Sequence, residues 1–174
     1  MERLFAGKVW VAYGQVYVVG RGENLFHMDM RRCFAGQENG LCGAATRGVI
    51  FLITGLHTGY VDFALELEDT EPALDDSWDE IVEASFVVDS PASPGISEWG
   101  NAWHPLKLEP GTYRVRYHAK GMEAGRSKDV TFAHEEPVDS YRLTLWRAPA
   151  SKDRVLKQTS EIAAYWHDCA RKPP

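Results

Sequence analysis

Along most of this chain apolar and polar residues alternate one by one. In Val61-Asp62-Phe63-Ala64-Leu65-Glu66-Leu67-Glu68, the residues Val61, Phe63, Leu65 and Leu67 fall on one side of an extended segment. Asp62, Glu66 and Glu68 fall on the other. In Tyr113–His118 the inner row is Tyr113, Val115 and Tyr117, with Arg114, Arg116 and His118 outward. Tyr141, Leu143 and Leu145 form another inner row, opposite Trp146, and Val82, Ala84, Phe86 and Val88 a fourth. A one-sided period of two predicts strands with one face on a core and the other in water, the habit of antiparallel sheets.

The remaining segments fill in the architecture. Val9 to Val19 reads as one long first strand with Gly14 as a bulge. Val49 to Thr54 reads as a more fully buried strand. Turn signals stand at Leu56–Gly59, Ser90–Gly95, Glu109–Gly111 and Glu135–Pro137. Residues 24–47 have no clean period and predict a long loop with a short helical piece. Between 151 and 170, Val155, Leu156, Thr159, Ile162, Ala163 and Trp166 make a helical stripe, with Ser151 or Thr159 as its cap. Trp146 is expected beneath that helix, near Trp166. The expected fold is all-β: a single domain over 1–174, an antiparallel β-sandwich of seven or eight strands within about residues 8–147, and a C-terminal helix over 151–170.

Composition adds limits. With 174 residues and 44% hydrophobic content, the chain can build a core without a metal or disulfide scaffold. Cys33, Cys42 and Cys169 do not make an even disulfide framework, so free thiols are expected over a Cys33–Cys42 bridge. The first residues lack the pattern of a secretory leader, and no apolar run approaches membrane-spanning length. The expected location is the cytoplasm, with no membrane partner. A pI near 5.5 speaks against nucleic acid as a partner, which would call for a basic face.

Charge is distributed unevenly. Between Arg47 and Lys107 there are twelve acidic residues and no lysine or arginine, in a chain whose net charge is −6. Asp62, Glu66 and Glu68 are accounted for as the wet face of a strand. The connection that follows is denser in acids than a loop needs. Asp69, Glu71, Asp75, Asp76, Asp79 and Glu80, with Trp78 as an apolar anchor, are the expected contact residues for a basic protein surface. The segment has no D-x-D-x-D-G ladder and no glycine, so no metal site is expected there. How much of this charge survives folding depends on whether Arg114, Arg116 and Arg142 lie on neighbouring strands.

Candidate chemistry is thin. The six histidines have neither H-x-x-x-H nor H-E-x-x-H spacing. There is no G-x-S-x-G, phosphate loop or dinucleotide fingerprint, so no catalytic residue and no cofactor is assigned. An enzyme or metalloprotein using His27, Asp29, Cys33 or the acidic loop is the least favoured class. Trp99 and Trp103 are the candidate residues for a small ligand or carbohydrate, against the commoner role of aromatics in a core. Non-enzymatic binding is the expected function, in the manner of an inhibitor or immunity protein.

The segment Val11-Ala12-Tyr13-Gly14-Gln15-Val16-Tyr17-Val18 resembles the opening strand of the competence protein J family, small bacterial inhibitors of a DNA-entry nuclease. The similarity continues through Gly48–Thr54, Tyr60–Glu68 and Trp78–Val88 to Leu106-Lys107-Leu108-Glu109-Pro110-Gly111-Thr112-Tyr113-Arg114-Val115-Arg116. Residues 33–47 and the section from Tyr141 onward lie outside it. The resemblance implies a compact β-sandwich that acts by binding. It carries over no catalytic residue and no particular target.

Overall fold

In a computed structural model of the chain, residues 1–89, 94–99 and 102–172 are described. Among these residues, eleven strands form two sheets. The larger contains β1 (Glu2–Val11), β5 (Gly59–Glu68), β6 (Glu80–Val88), β9 (Gly111–Lys120), β10 (Ser140–Arg147) and β11 (Arg154–Lys157), in the order β1-β5-β10-β9-β6-β11. The smaller contains β2 (Gln15–Val19), β3 (Cys42–Gly43), β4 (Ile50–Ile53), β7 (Gly95–Ser97) and β8 (Trp103–Pro105), in the order β3-β4-β2-β7-β8. Three helices accompany them: α1 (Met30–Cys33), α2 (Met122–Lys128) and α3 (Glu161–Arg171). The inner rows read from the sequence meet in one hydrophobic cluster. Val61, Phe63 and Leu65 of β5, Val82, Ala84 and Phe86 of β6, and Tyr113, Val115 and Tyr117 of β9 all join it. Val16 and Val18 of β2, with Ile50 and Leu52 of β4, contribute from the second sheet.

The fold is predominantly β with a C-terminal helix, and it corrects the expected sandwich in several respects. The described residues hold eleven strands rather than seven or eight. The larger sheet is mixed, because β10 runs parallel to β5, with Tyr141 opposite Phe63 and Leu145 opposite Leu67. A parallel neighbour needs a long crossover, which the period of two does not reveal. The long first strand is two strands. Tyr13 (φ 58) and Gly14 (φ 65) make a tight turn, closed by the Gln15 amide donating to the Ala12 carbonyl at 3.2 Å. That turn carries the chain from one sheet to the other. The predicted C-terminal helix begins only at Glu161. Its cap is Ser160, whose side chain accepts from the Ala163 amide, rather than Ser151 or Thr159. Arg154–Lys157 is instead an edge strand, with Val155 opposite Val82.

Residues 24–47 form the expected irregular stretch. It contains a single 3-10 turn at Leu25–His27, α1 and the short β3. Cys33, Cys42 and Cys169 are free thiols, the first two buried. Of the predicted Ser90–Gly95 turn, residues 90–93 lie outside the described residues. No helix among the described residues is long and apolar enough to cross a membrane.

Candidate interaction site

The sequence predicts a wet face on the side of the larger sheet turned away from the core. Asp62 is exposed there as predicted, but the middle of the face is covered, and by charge. One cross-strand row runs through all six strands: Arg3 opposite Glu66, Glu66 opposite Thr144, Thr144 opposite Arg116, Arg116 opposite Glu83, and Glu83 opposite Arg154. Arg3 donates to Glu66 at 3.0 Å. Glu83 is fully buried and accepts from three guanidiniums: Arg114 at 2.9 Å, Arg116 at 2.8 Å and Arg154 at 2.5 Å. Burial pushes the Glu83 carboxyl up in pKa. The hydrogen bonds from Arg154, Arg116 and Arg114 more than reverse this, so it lies below the usual carboxylate range. Arg114 and Arg116 are themselves only 4% and 3% exposed. In the adjoining row Trp146 is buried, and the Arg116 guanidinium lies 5.2 Å from its ring centre. A guanidinium therefore covers the Trp146 ring, where the sequence predicts the terminal helix.

The acidic connection between β5 and β6 folds back over this face. Arg116 donates to the Pro72 carbonyl at 2.7 Å and to Glu71 at 2.9 Å. Arg142 donates to Asp75 at 3.0 Å and places its guanidinium 5.0 Å from the Trp78 ring centre. Asp75 also accepts from the Ser77 hydroxyl and amide and from the Trp78 indole, and these bonds hold it well below the usual carboxylate range. Lys157 on β11 donates to the Asp76 carbonyl at 2.6 Å. Beneath Trp78 lies His118, 2% exposed, with ring centres 5.5 Å apart. Burial, reinforced by the Arg142 charge, lowers the His118 pKa to about 4.

The seven contact residues expected from the sequence thus divide into two groups. Glu80 is fully buried and accepts from the Thr159 amide and hydroxyl and the Ser160 amide, which fixes the start of α3. Asp79 accepts from the Gly121 amide at 2.9 Å. Trp78 is half-buried on Arg142. These three hold the segment down. Asp69, Glu71 and Asp76 are exposed, and Asp75 is partly so. The Asp69 and Asp76 carboxylates make no hydrogen bond or ion pair among the described residues. Leu74, not singled out by the sequence, is 48% exposed at the middle of the segment. It sits in no periodic element, so nothing in the sequence separated it from core leucines.

The two candidate tryptophans are separated in role. Trp99 packs edge-on against Tyr13, Phe26 and Tyr17, with ring centres 5.4, 5.2 and 6.0 Å away. Tyr13 and Phe26 are 63% and 82% exposed. Trp103 lies over Gly95, donates to the Val19 carbonyl, and has the Arg21 guanidinium above its ring. Asp29 caps α1 by accepting from the Arg31 amide. No group of three or more His, Cys, Asp and Glu side chains able to hold a metal occurs among the described residues.

No family model matches the chain, and no curated protein matches it in sequence. Among solved structures, the chain is similar to ComJ from Bacillus subtilis, an inhibitor of the DNA-degrading activity of NucA. The TM-score is 0.55 at 15% sequence identity, over 84% of this chain and 98% of that one. The likeness is one of fold, and it agrees with the resemblance carried by the sequence motifs.

Proposed function

We propose that the chain is a non-enzymatic binding protein of the inhibitor type, and that it meets a basic protein partner with the crest of the 69–79 segment. One observation carries this reading. An irregular acidic connection is clamped from below by Arg116, Arg142 and Lys157, yet presents unpaired carboxylates at Asp69 and Asp76 on either side of the exposed Leu74. A segment already held in one shape loses little conformational freedom on docking. An apolar residue flanked by carboxylates suits a basic surface with an apolar recess. Arginine pairing reduces the field of the twelve-acid stretch, so steering acts locally at the crest rather than across the whole face. The fold likeness to a protein that inhibits a DNA-degrading enzyme supports the inhibitor class. It makes nucleases, whose substrate-binding surfaces are basic, the first partners to try.

The test is capture of partners on immobilised protein at low and at high salt, repeated with D69K/D76K and with L74D. Capture should weaken with salt and fall by about tenfold in each variant, as expected for loss of one or two interfacial contacts. Capture indifferent to salt and to both variants removes the proposal. A second reading, a small-ligand or carbohydrate site, is favoured only by the exposed Tyr13 and Phe26 rings packed on the half-buried Trp99. Quenching of tryptophan fluorescence by a glycan, lost in W99F and retained in W103F, would support it.

A further inference from the structure

A cleft of about 570 Å³ opens between α1 with the turn that follows it and the C-terminal helix α3, and no residue of the acidic crest lines it. Its walls are mainly apolar: Met30 and Phe34 on one side, Trp166 and Ala170 on the other. The two sides are held together at Gly40. A side chain there would meet the Trp166 carbonyl at 1.9 Å, so only glycine lets the chain approach the helix this closely. The Gly40 amide donates to His167 Nδ1 at 2.9 Å, and Asp153 accepts from the amides of Glu38 and Asn39. The cleft is therefore a built feature between pinned elements. Two exposed cations, Arg31 and Lys172, line it as well. Neither side chain has an ion-pair partner among the described residues. The nearby acids are engaged: Asp29 with the Arg31 amide and Arg32, and Asp168 with Arg171.

A cavity of this size, apolar within and carrying a few polar groups, has the character of a small-molecule site. Two unpaired cations beside an apolar interior, in a protein of net charge −6, specify the charge of what enters. We propose that this cleft binds a single-chain amphipathic anion. Its alkyl chain would lie between Phe34 and Trp166, and its carboxylate or similar headgroup would lie on Arg31 and Lys172.

Cys169 lies in the cleft wall and is the cysteine of the three that is not buried, so it reports on occupancy. The experiment follows alkylation of Cys169 by iodoacetamide, resolved by peptide mass, in the intact chain with decanoate or with decyltrimethylammonium below their aggregation limits. Decanoate should slow the reaction in a saturable way, and the cation of equal chain length should not. R31A/K172A should weaken protection about tenfold through loss of charge-assisted hydrogen bonds, without change in thermal stability. A170W, which fills the cleft, should abolish it. Ala35 lines the cleft beside Phe34, and A35W there serves the same purpose if A170W misfolds by circular dichroism. Absence of protection, equal protection by the cation, or undiminished protection in a folded cleft-filling variant overturns the proposal. So does light scattering that shows a second copy covering the cleft. None of these outcomes depends on the 69–79 crest.

Discussion

Glu83 is the position where a one-atom change should do most damage. In E83Q the side chain keeps its shape while the charge that three guanidiniums share is gone. Arg154 is half-exposed and can turn to water. Arg116 retains Glu71 and the Pro72 carbonyl. Arg114 has neither recourse: its remaining partners are the neutral Ser85 hydroxyl and the Ser151 carbonyl. Breaking a buried pair by removing one partner costs about 3–5 kcal/mol, because a desolvated charge is left behind. For a chain of this length that lowers the midpoint of thermal unfolding by about 6–20 °C. Urea denaturation followed by tryptophan fluorescence measures the loss directly. R114M in the E83Q background should restore part of it, giving a coupling of about 1 kcal/mol or more in the double-mutant cycle. Acid should reproduce the effect in the wild type. Because the folded pKa of Glu83 lies below its unfolded value, its contribution is present at neutral pH. It is lost as pH falls below the ordinary glutamate range and through the folded value. A loss under about 1 kcal/mol for E83Q, or an additive cycle, would refute the claim that Arg114 depends on this carboxylate.

Three further outcomes follow from other contacts. E80A removes the acceptor for three donors at the start of α3. It should cost about 2–4 kcal/mol and raise hydrogen exchange selectively in residues 159–171. Burial lowers the His167 pKa to about 4, so its neutral form stabilises the fold above the unfolded histidine value. That stability is lost as pH falls from about 6.5 toward 4. H167N, which keeps an acceptor for the Gly40 amide without titrating, should reduce the slope of unfolding free energy over that window. An unchanged slope would assign the pH dependence elsewhere, first to His118. Tyr13 holds a left-handed backbone that asparagine tolerates better, so Y13N should stabilise the chain by about 0.5–1 kcal/mol. A destabilised Y13N would mean that the ring contacts with Trp99 and His57 outweigh the strain.

The inner rows of β5, β6, β9 and β10 were legible in the sequence because burial on the core side imposes a strict period of two. The outer rows were not. Arg114, Arg116 and His118 have the pattern of a wet face, and they are buried because residues from a distant connection and a C-terminal edge strand lie over them. Periodicity records which residues share a face and is silent about what covers it. The strand at Arg154–Lys157 is hidden in the sequence for a related reason. Val155 and Leu156 fit a helical stripe, but pairing with β6 and the pull of Glu83 on Arg154 override local spacing. At the acidic segment the sequence located the connection correctly but not the division of labour within it. That division depends on which carboxylates fall within reach of Arg116, Arg142 and the amides at 121, 159 and 160.

The parallel pairing of β10 with β5 has a consequence for how the chain reaches this fold. Before residues 140–147 are in place, β1 with β5 and β9 with β6 can form only two separate antiparallel pieces. Each of those pieces has an open edge, at β5 and at β9. On a ribosome both edges wait, unpaired, until the last fifth of the chain emerges, and insertion of β10 between them closes both at once. Joining strands so distant in sequence is slow, and open apolar edges invite pairing with other chains in the meantime. The β10 strand thus sets the interval during which a nascent copy is exposed to aggregation.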